Sequence, residues 1–168
     1  GKEASPVILC EGAQGFGLDI DYGDYPYVTS SHCTTAGALL NAIPPAWVRD
    51  VWGVAKIYET YVGSKSFEPD EPIFSKLRDL GEEYGATTGR PRQCNWADVS
   101  LIEKASKING VTKIVFNKVD ILRELGQWNL IIDGETTDLR TEEKTREFIK
   151  SRLEENMEVF FSDTPHSI

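Results

Sequence analysis

Arg90 and Arg92 stand two residues apart in the run YGATTGRPRQCNW (84–96), with Pro91 stiffening the link between them. A guanidinium is a planar fork that meets a carboxylate or phosphate through two parallel hydrogen bonds. Thr87, Thr88 and Gly89 add hydroxyls and open N–H groups beside the forks. The set suits a small dianion, and it equally suits two arginines paired with surface carboxylates, which are plentiful in this chain. Further on, Asn117, Lys118 and Asp120 form an Asn-Lys-x-Asp run. In such loops the aspartate accepts the N1 and amino hydrogens of guanine while the lysine stem covers the base; adenine presents a different edge. The same four residues also read as a polar turn after a strand. Upstream, EGAQG (11–15) sets Gln14 among glycines, where the backbone can approach a ligand and the amide offers donors and an acceptor. A tight strand-to-helix turn has the same composition. Thr29, Ser30 and Ser31 are hydroxyls that either donate to a phosphate or bond their own backbone.

These residues need elements to hold them. PVILC (6–10) reads as a buried strand stopping at EGAQG. A helix starts at Thr34 or Thr35, with Ala36, Leu39 and Leu40 facing inward. IPPAWVRD (43–50) is a loop leading to a short helix, and VWGVAKIYETYVG (51–63) is one β-branched, aromatic strand. PIFSKLRDLGEEYG (72–85) is an amphipathic helix burying Ile73, Phe74, Leu77 and Leu80. WADVSLIEKASKING (96–110) is a second helix, with Val99, Ile102 and Ala105 inward, Asp98 as cap and Gly110 as stop. TKIVFNKVDIL (112–122) is a strand ending in polar residues, and QWNLIIDGETTDL (127–139) is a hairpin around Asp133-Gly134. TEEKTREFIKSRLEEN (141–156) is a charged helix burying Phe148, Ile149 and Leu153, followed by the strand EVFF (158–161) and then SDTP. Strands alternating with helices indicate an α/β fold with a mostly parallel sheet flanked by helices. Ligands in such sheets bind at the carboxyl ends of strands, where EGAQG, NKVD and SDTP are expected.

The 168 residues suit one ordinary domain, and the net charge of −9 argues against nucleic-acid or anionic-membrane partners. Cys10, Cys33 and Cys94 are odd in number and widely spaced, which indicates free thiols in a reducing compartment and no structural zinc. Two histidines, His32 and His166, are too few for a multi-histidine metal site. No apolar run reaches membrane-spanning length and no signal peptide is visible. The chain begins GKEASP and its one methionine is Met157, which reads as a fragment, a processed chain or an engineered one.

Taken in order, VILCEGAQGFGLDIDYGDYPYVTSSHCTTAG (7–37), YVG (61–63), EYGATTGRPRQCNW (83–96) and INGVTKIVFNKVDIL (108–122) resemble adenylosuccinate synthetase, nearly continuously from about residue 6 to 122 and more weakly beyond. The resemblance implies a P-loop-like ligase fold of which residues 1–168 form the C-terminal portion of one domain, without the N-terminal phosphate-loop portion. It implies a GTP- and Mg2+-dependent joining of L-aspartate to IMP, in which GTP phosphorylates the 6-oxygen and the aspartate amine displaces the phosphate. Gln14 would orient the base, Thr29 the 5′-phosphate, and Val62 and Arg90 would contact IMP. Thr87, Thr88, Arg90 and Arg92 would hold the aspartate carboxylates. Arg92, Lys118, Asp120, Ser162 and Pro165 would contribute to GTP binding. The resemblance also implies that the catalytic residues and the Mg2+ ligands lie in the N-terminal portion; independently, no G-x-x-x-x-G-K-[ST] run occurs here, so the complete nucleotide site is not expected in these residues. The family is cytoplasmic and homodimeric. Tyr61 stands where the family usually has arginine, Thr164 where it has glycine, and the region between Leu122 and Ser151 is short, as in archaeal or phage-type relatives. Two alternatives remain open: a phage-type 2-aminoadenylosuccinate synthetase acting on dGMP, and a non-catalytic nucleotide-binding fragment or subunit, alone or associated with an N-terminal portion.

Overall fold

A computed structural model describes residues 6–155 and 157–164, in two compact units, residues 1–49 and 50–168. Pro165 and His166, and with Pro165 one residue expected at a guanine site, lie outside the described residues.

The first unit consists of turns around one short helix, α1 (Ala36–Leu40), with single 3-10 turns at Phe16–Leu18 and Pro45–Trp47. The expected strand at 6–10 is not found. That segment is irregular, with Val7 98% and Leu9 90% exposed. An apolar run becomes a strand only with a neighbour to bond and a face to bury, and no described residue of this unit pairs with it. Thr35 stands at the N-cap of α1 without a side-chain cap bond. Leu39 and Leu40 are exposed rather than inward, because a five-residue helix has too little surface to build a core of its own.

The second unit has the α/β architecture the sequence indicates. A parallel sheet in the order β1 (Trp52–Lys56), β4 (Lys113–Asn117), β7 (Glu158–Phe161) is joined by a mixed sheet in the order β2 (Tyr58–Tyr61), β3 (Gln93–Asp98), β5 (Asn129–Ile132), β6 (Glu135–Asp138). In the mixed sheet only β3 and β5 run parallel. The remaining helices are α2 (Pro72–Gly81), α3 (Val99–Asn109), α4 (Val119–Leu125) and α5 (Glu142–Leu153). Helices and strands share one core of Phe74, Leu77, Trp96, Phe116, Leu122 and Ile149.

Local chemistry sets many boundaries. Pro72 opens α2 at a position whose N–H has no helical partner to lose. The Asp98 carboxylate accepts from Leu101 N at 3.1 Å to cap α3, and Gly110 ends it at φ 61°. Thr141 caps α5 by accepting from Lys144 N at 3.2 Å, with Glu142 and Glu143 in the first turn and Lys150 and Arg152 in the last, matching the helix dipole. Asp133 at φ 50° and Gly134 at φ 88° make the two-residue turn between β5 and β6.

Two boundaries differ from expectation. The run 51–63 is two strands: the chain leaves the parallel sheet at Ile57, whose N–H donates to Asn117 O at 3.0 Å, and enters the mixed one at Tyr58. The helix expected from Trp96 begins only at Val99, because residues 93–98 form β3 between β2 and β5. Cys94 and Trp96 alternate into the core at strand period, and that tertiary pairing overrides the helical reading.

Candidate functional site

The run 84–92 is a loop clipped at its base. Tyr84 and Pro91 face each other in an antiparallel bridge, Gly85 N donates to Arg90 O at 2.8 Å, and Arg92 N donates to Glu83 O at 2.9 Å. Gly89, at φ 62°, takes a left-handed conformation suited to glycine, and its N–H reaches Gly85 O at 2.8 Å. Thr87, Thr88 and Arg90 are exposed. Thr88 Oγ1 lies 3.4 Å from Arg90 N, within the loop itself. Arg90 pairs with no carboxylate among the described residues. It lines a cleft of about 270 Å³ with Tyr61, Val62, Gly63, Ser64, Pro91 and Gln93. Gln93 shapes one wall: its amide donates to Lys65 O at 2.8 Å, and its carbonyl accepts from Phe67 N at 2.9 Å. Arg90 and Val62, paired in expectation, are thus brought together.

Arg92 is anchored from below. Its Nη1 donates to Glu83 Oε2 at 3.1 Å, and Glu83 is only 3% exposed. Lys56 Nζ reaches both Glu83 oxygens, at 2.7 and 2.8 Å, and Tyr58 Oη donates to Oε1 at 2.7 Å. Burial pushes the Glu83 carboxyl up, and the Lys56 ammonium, Tyr58 hydroxyl and Arg92 guanidinium outweigh it, holding the group below its ordinary value. The Tyr58 phenol is pushed up, by burial first and then by Glu83. Lys56 is lowered by burial, and Arg92 and Lys118 push the same way against the opposing pull of Glu83. Two cations, Lys56 and Arg92, meet on this one carboxylate, and Lys118 lies close enough to act on Lys56. Arg92 Nε is buried with no hydrogen-bond partner.

The Asn-Lys-x-Asp run occupies the carboxyl edge of β4, the position expected of it. Lys118 takes φ 65° at the start of α4, and its Nζ donates to Gly81 O at 3.0 Å. Asp120 lies in the first turn of α4, and its carboxylate accepts no hydrogen bond among the described residues. Asn117 Oδ1 is buried without a partner. Ser162, buried, follows β7 on the same edge: its N–H donates to Phe116 O at 2.8 Å, and its Oγ donates to Thr164 O at 2.7 Å. Asp163 beside it is held by Arg146 at 2.6 Å and Arg123 at 3.4 Å. Asn117, Lys118, Asp120 and Ser162 therefore share one strand edge.

In the first unit, Gln14 sits at φ 61°, and its Oε1 accepts from Ser31 Oγ at 3.3 Å; Ser31 Oγ also lies 3.4 Å from Thr29 Oγ1. Gln14 and Thr29 thus belong to one hydroxyl-amide chain. Asp19, fully buried, joins two nearby stretches of backbone: Oδ1 accepts from Asp21 N at 2.9 Å and Tyr22 N at 3.0 Å, and Oδ2 from Cys33 N at 2.6 Å. Burial raises the Asp19 carboxyl, and those N–H donors outweigh it, leaving it below its ordinary value. Gly23 is required here, since a Cβ would lie 2.5 Å from Asp19 O. Asp19, Asp21 and His32 bring one potential ligand atom each within 4.8 Å of one another. They do not suit Mg2+, which demands octahedral oxygen ligation: both Asp19 oxygens are occupied by backbone donors, and an imidazole is a poor ligand for this ion.

Sequence reasoning missed Glu83, Lys56, Tyr58, Gln93 and Asp19. Lys56 left a signal, a lone cation inside an apolar strand, which is rarely tolerated without a partner. Glu83 left none, since it reads the same as its exposed neighbour Glu82.

Comparison with known proteins gives the family. A family model described as adenylosuccinate synthetase matches residues 2–162. The adenylosuccinate synthetase of Halothermothrix orenii is 50% identical over 121 residues, covering 70% of this chain and 28% of the relative. That of Caldicellulosiruptor bescii is 42% identical over 144 residues, covering 82% and 34%. The chain thus spans about a third of the length of the curated relatives it matches. The fully ligated adenylosuccinate synthetase of Plasmodium falciparum superposes with a TM-score of 0.76 at 28% identity, over 92% of this chain and 47% of the other. A succinoaminodeoxyadenylate synthetase of cyanophage S-2L, bound to dGMP and dATP, gives 0.66 at 23% identity, over 92% and 43%, a likeness of fold alone. The chain belongs to the adenylosuccinate synthetase family of ligases.

Proposed function

We propose that this chain supplies the IMP-, aspartate- and guanine-binding loops of a GTP-dependent ligase that joins L-aspartate to the 6-position of IMP, forming adenylosuccinate for AMP synthesis. The observation that carries the reading is the base-clipped loop 84–92, with Arg90 lining the cleft beside Val62 and Arg92 held by the buried Glu83. Aspartate is a dianion, and two guanidinium forks with the Thr87 and Thr88 hydroxyls match its two carboxylates. Holding it there places the amine for attack, a proximity effect. Moving the GTP γ-phosphoryl onto the 6-oxygen of IMP makes that oxygen part of a phosphate leaving group. The amine then bonds to C6, the C6–O bond breaks, and the products are adenylosuccinate, GDP and phosphate.

Gln14 and Thr29 take the base and the 5′-phosphate of IMP. Val62 and Arg90 contact the same nucleotide. At the strand edge, Asp120 has an open carboxylate for guanine N1–H and the amino group, and Lys118, Ser162 and Pro165 contribute to the same guanine site. The unpartnered Asn117 Oδ1 is a further acceptor on that edge. Mg2+ and the phosphate grip come from an N-terminal portion of family length. The complete enzyme works as a cytoplasmic homodimer. No helix among the described residues is long and apolar enough to cross a membrane.

The test is paired, in the complete enzyme. Arg92→Leu should raise the aspartate KM far more than the GTP KM, and Asp120→Asn should weaken GTP by about 1–3 kcal/mol, the cost of an unmet buried partner. Equal effects of Arg92→Leu on both substrates would remove the aspartate assignment. Replacing IMP by dGMP in the same assay separates the two purines.

A further inference from the structure

The loop 84–92 bears two arginines, and only Arg92 is tethered to a buried group. Its tether, Glu83, joins three elements: Lys56 closes β1, Tyr58 opens β2, and Glu83 follows α2. We propose that Glu83 is a positioning residue that presents Arg92 to the substrate carboxylate, a role that rests on the reading of Arg92 given above.

Four donor contacts fill the Glu83 carboxylate: two from Lys56, one from Tyr58 and one from Arg92. A carboxylate so bonded has no freedom to rotate, and it transmits its fixed place to Arg92. Glu83 also receives the backbone N–H of Arg92 at 2.9 Å, so main chain and side chain of the arginine are referenced to one residue. The choice of nitrogen matters. Glu83 binds Nη1, which leaves the Nε–Nη2 edge, the side-on fork that takes a carboxylate in two parallel bonds. Nε on that edge is a buried donor without a partner. The hub has no slack, because a Cβ on Gly81 would lie 2.4 Å from Tyr58 Oη.

The test measures aspartate, IMP and GTP KM values in the complete enzyme for Glu83→Gln, Arg92→Leu and the double variant. Glu83→Gln keeps the shape and removes the charge. It should raise the aspartate KM about tenfold while the IMP and GTP values stay within about twofold. In the Arg92→Leu background it should add nothing, because a residue that acts through Arg92 has no further effect once Arg92 is gone. An unchanged aspartate KM in Glu83→Gln, a parallel rise in all three constants, or a full effect persisting in the double variant overturns the role of Glu83. An unchanged aspartate KM in Arg92→Leu overturns the reading of Arg92 itself, and the inference with it. Tyr58→Phe removes one of the four donors without touching charge, and its expected rise in aspartate KM of about threefold decides the matter if Glu83→Gln does not fold.

Discussion

Glu59 and Glu83 lie in the same unit and meet opposite electrostatic surroundings. Glu83 is bonded by two cations, Lys56 and Arg92, and by the Tyr58 hydroxyl. Glu59 accepts the Asp98 N–H at 3.1 Å but is desolvated and stands beside the Asp98 carboxylate, with Lys65 as the cation that favours its charge. Burial is the largest cause, and the Glu59 carboxyl is pushed up to about 7. A carboxyl whose folded pKa lies above its unfolded value favours the folded state while protonated. Its contribution is complete below the unfolded pKa of about 4.3 and is lost as pH rises through about 7. Glu59→Gln keeps an oxygen for the Asp98 N–H and removes the charge. It should therefore stabilise the protein by roughly 1–3 kcal/mol at pH 8 and by much less at pH 4. Urea unfolding at both pH values reads this directly, and an equal gain at the two would show that Glu59 titrates normally. Glu83 carries the reverse sign: its depressed carboxyl stabilises above the unfolded pKa, and that contribution fades as pH falls through the folded one.

At the scale of elements, the end of α2 is where packing and the site meet. Gly81 closes the helix, Lys118 reaches across to its carbonyl at 3.0 Å, and Tyr58 Oη sits where a Cβ would be. In an unconstrained helix, glycine to alanine gains up to about 1 kcal/mol. Here the added carbon meets a hydroxyl fixed by Glu83, so Gly81→Ala should lose roughly 1–3 kcal/mol, measured as a lower Tm, and Tyr58→Phe should relieve part of the loss. A variant as stable as the parent would mean that the helix end yields. The elements legible in the sequence were those whose ends are written locally: the Asp98 and Thr141 caps, the Gly110 stop and the Asp133-Gly134 turn. Those misread depend on distant partners. β3 is a strand because β2 and β5 flank it, and residues 6–10 do not form one because no described residue of their unit pairs with them. The candidate site divides the same way. Arg90, Arg92, Lys118 and Asp120 stood out because paired arginines and turn motifs reveal themselves by residue type and spacing. Glu83 and Asp19 did not, because burial of an acid is a tertiary fact.

For the whole molecule, length is the governing observation, since the chain spans about a third of the curated relatives it matches. On the proposed reading, the loops for IMP, aspartate and guanine would gather three reactants and orient them. Rate acceleration needs interactions that strengthen only at the transition state, which in the proposed reaction would be with the charge that develops as the γ-phosphoryl moves and the C6–O bond breaks. The phosphate-gripping run that would meet that charge is not in this sequence. Purified chain given IMP, GTP, Mg2+ and aspartate should therefore form no adenylosuccinate by chromatography, while the same loops inside a complete enzyme should turn over. Product from the chain alone would overturn this division of labour, because the transition-state contacts would then have to come from residues 1–168.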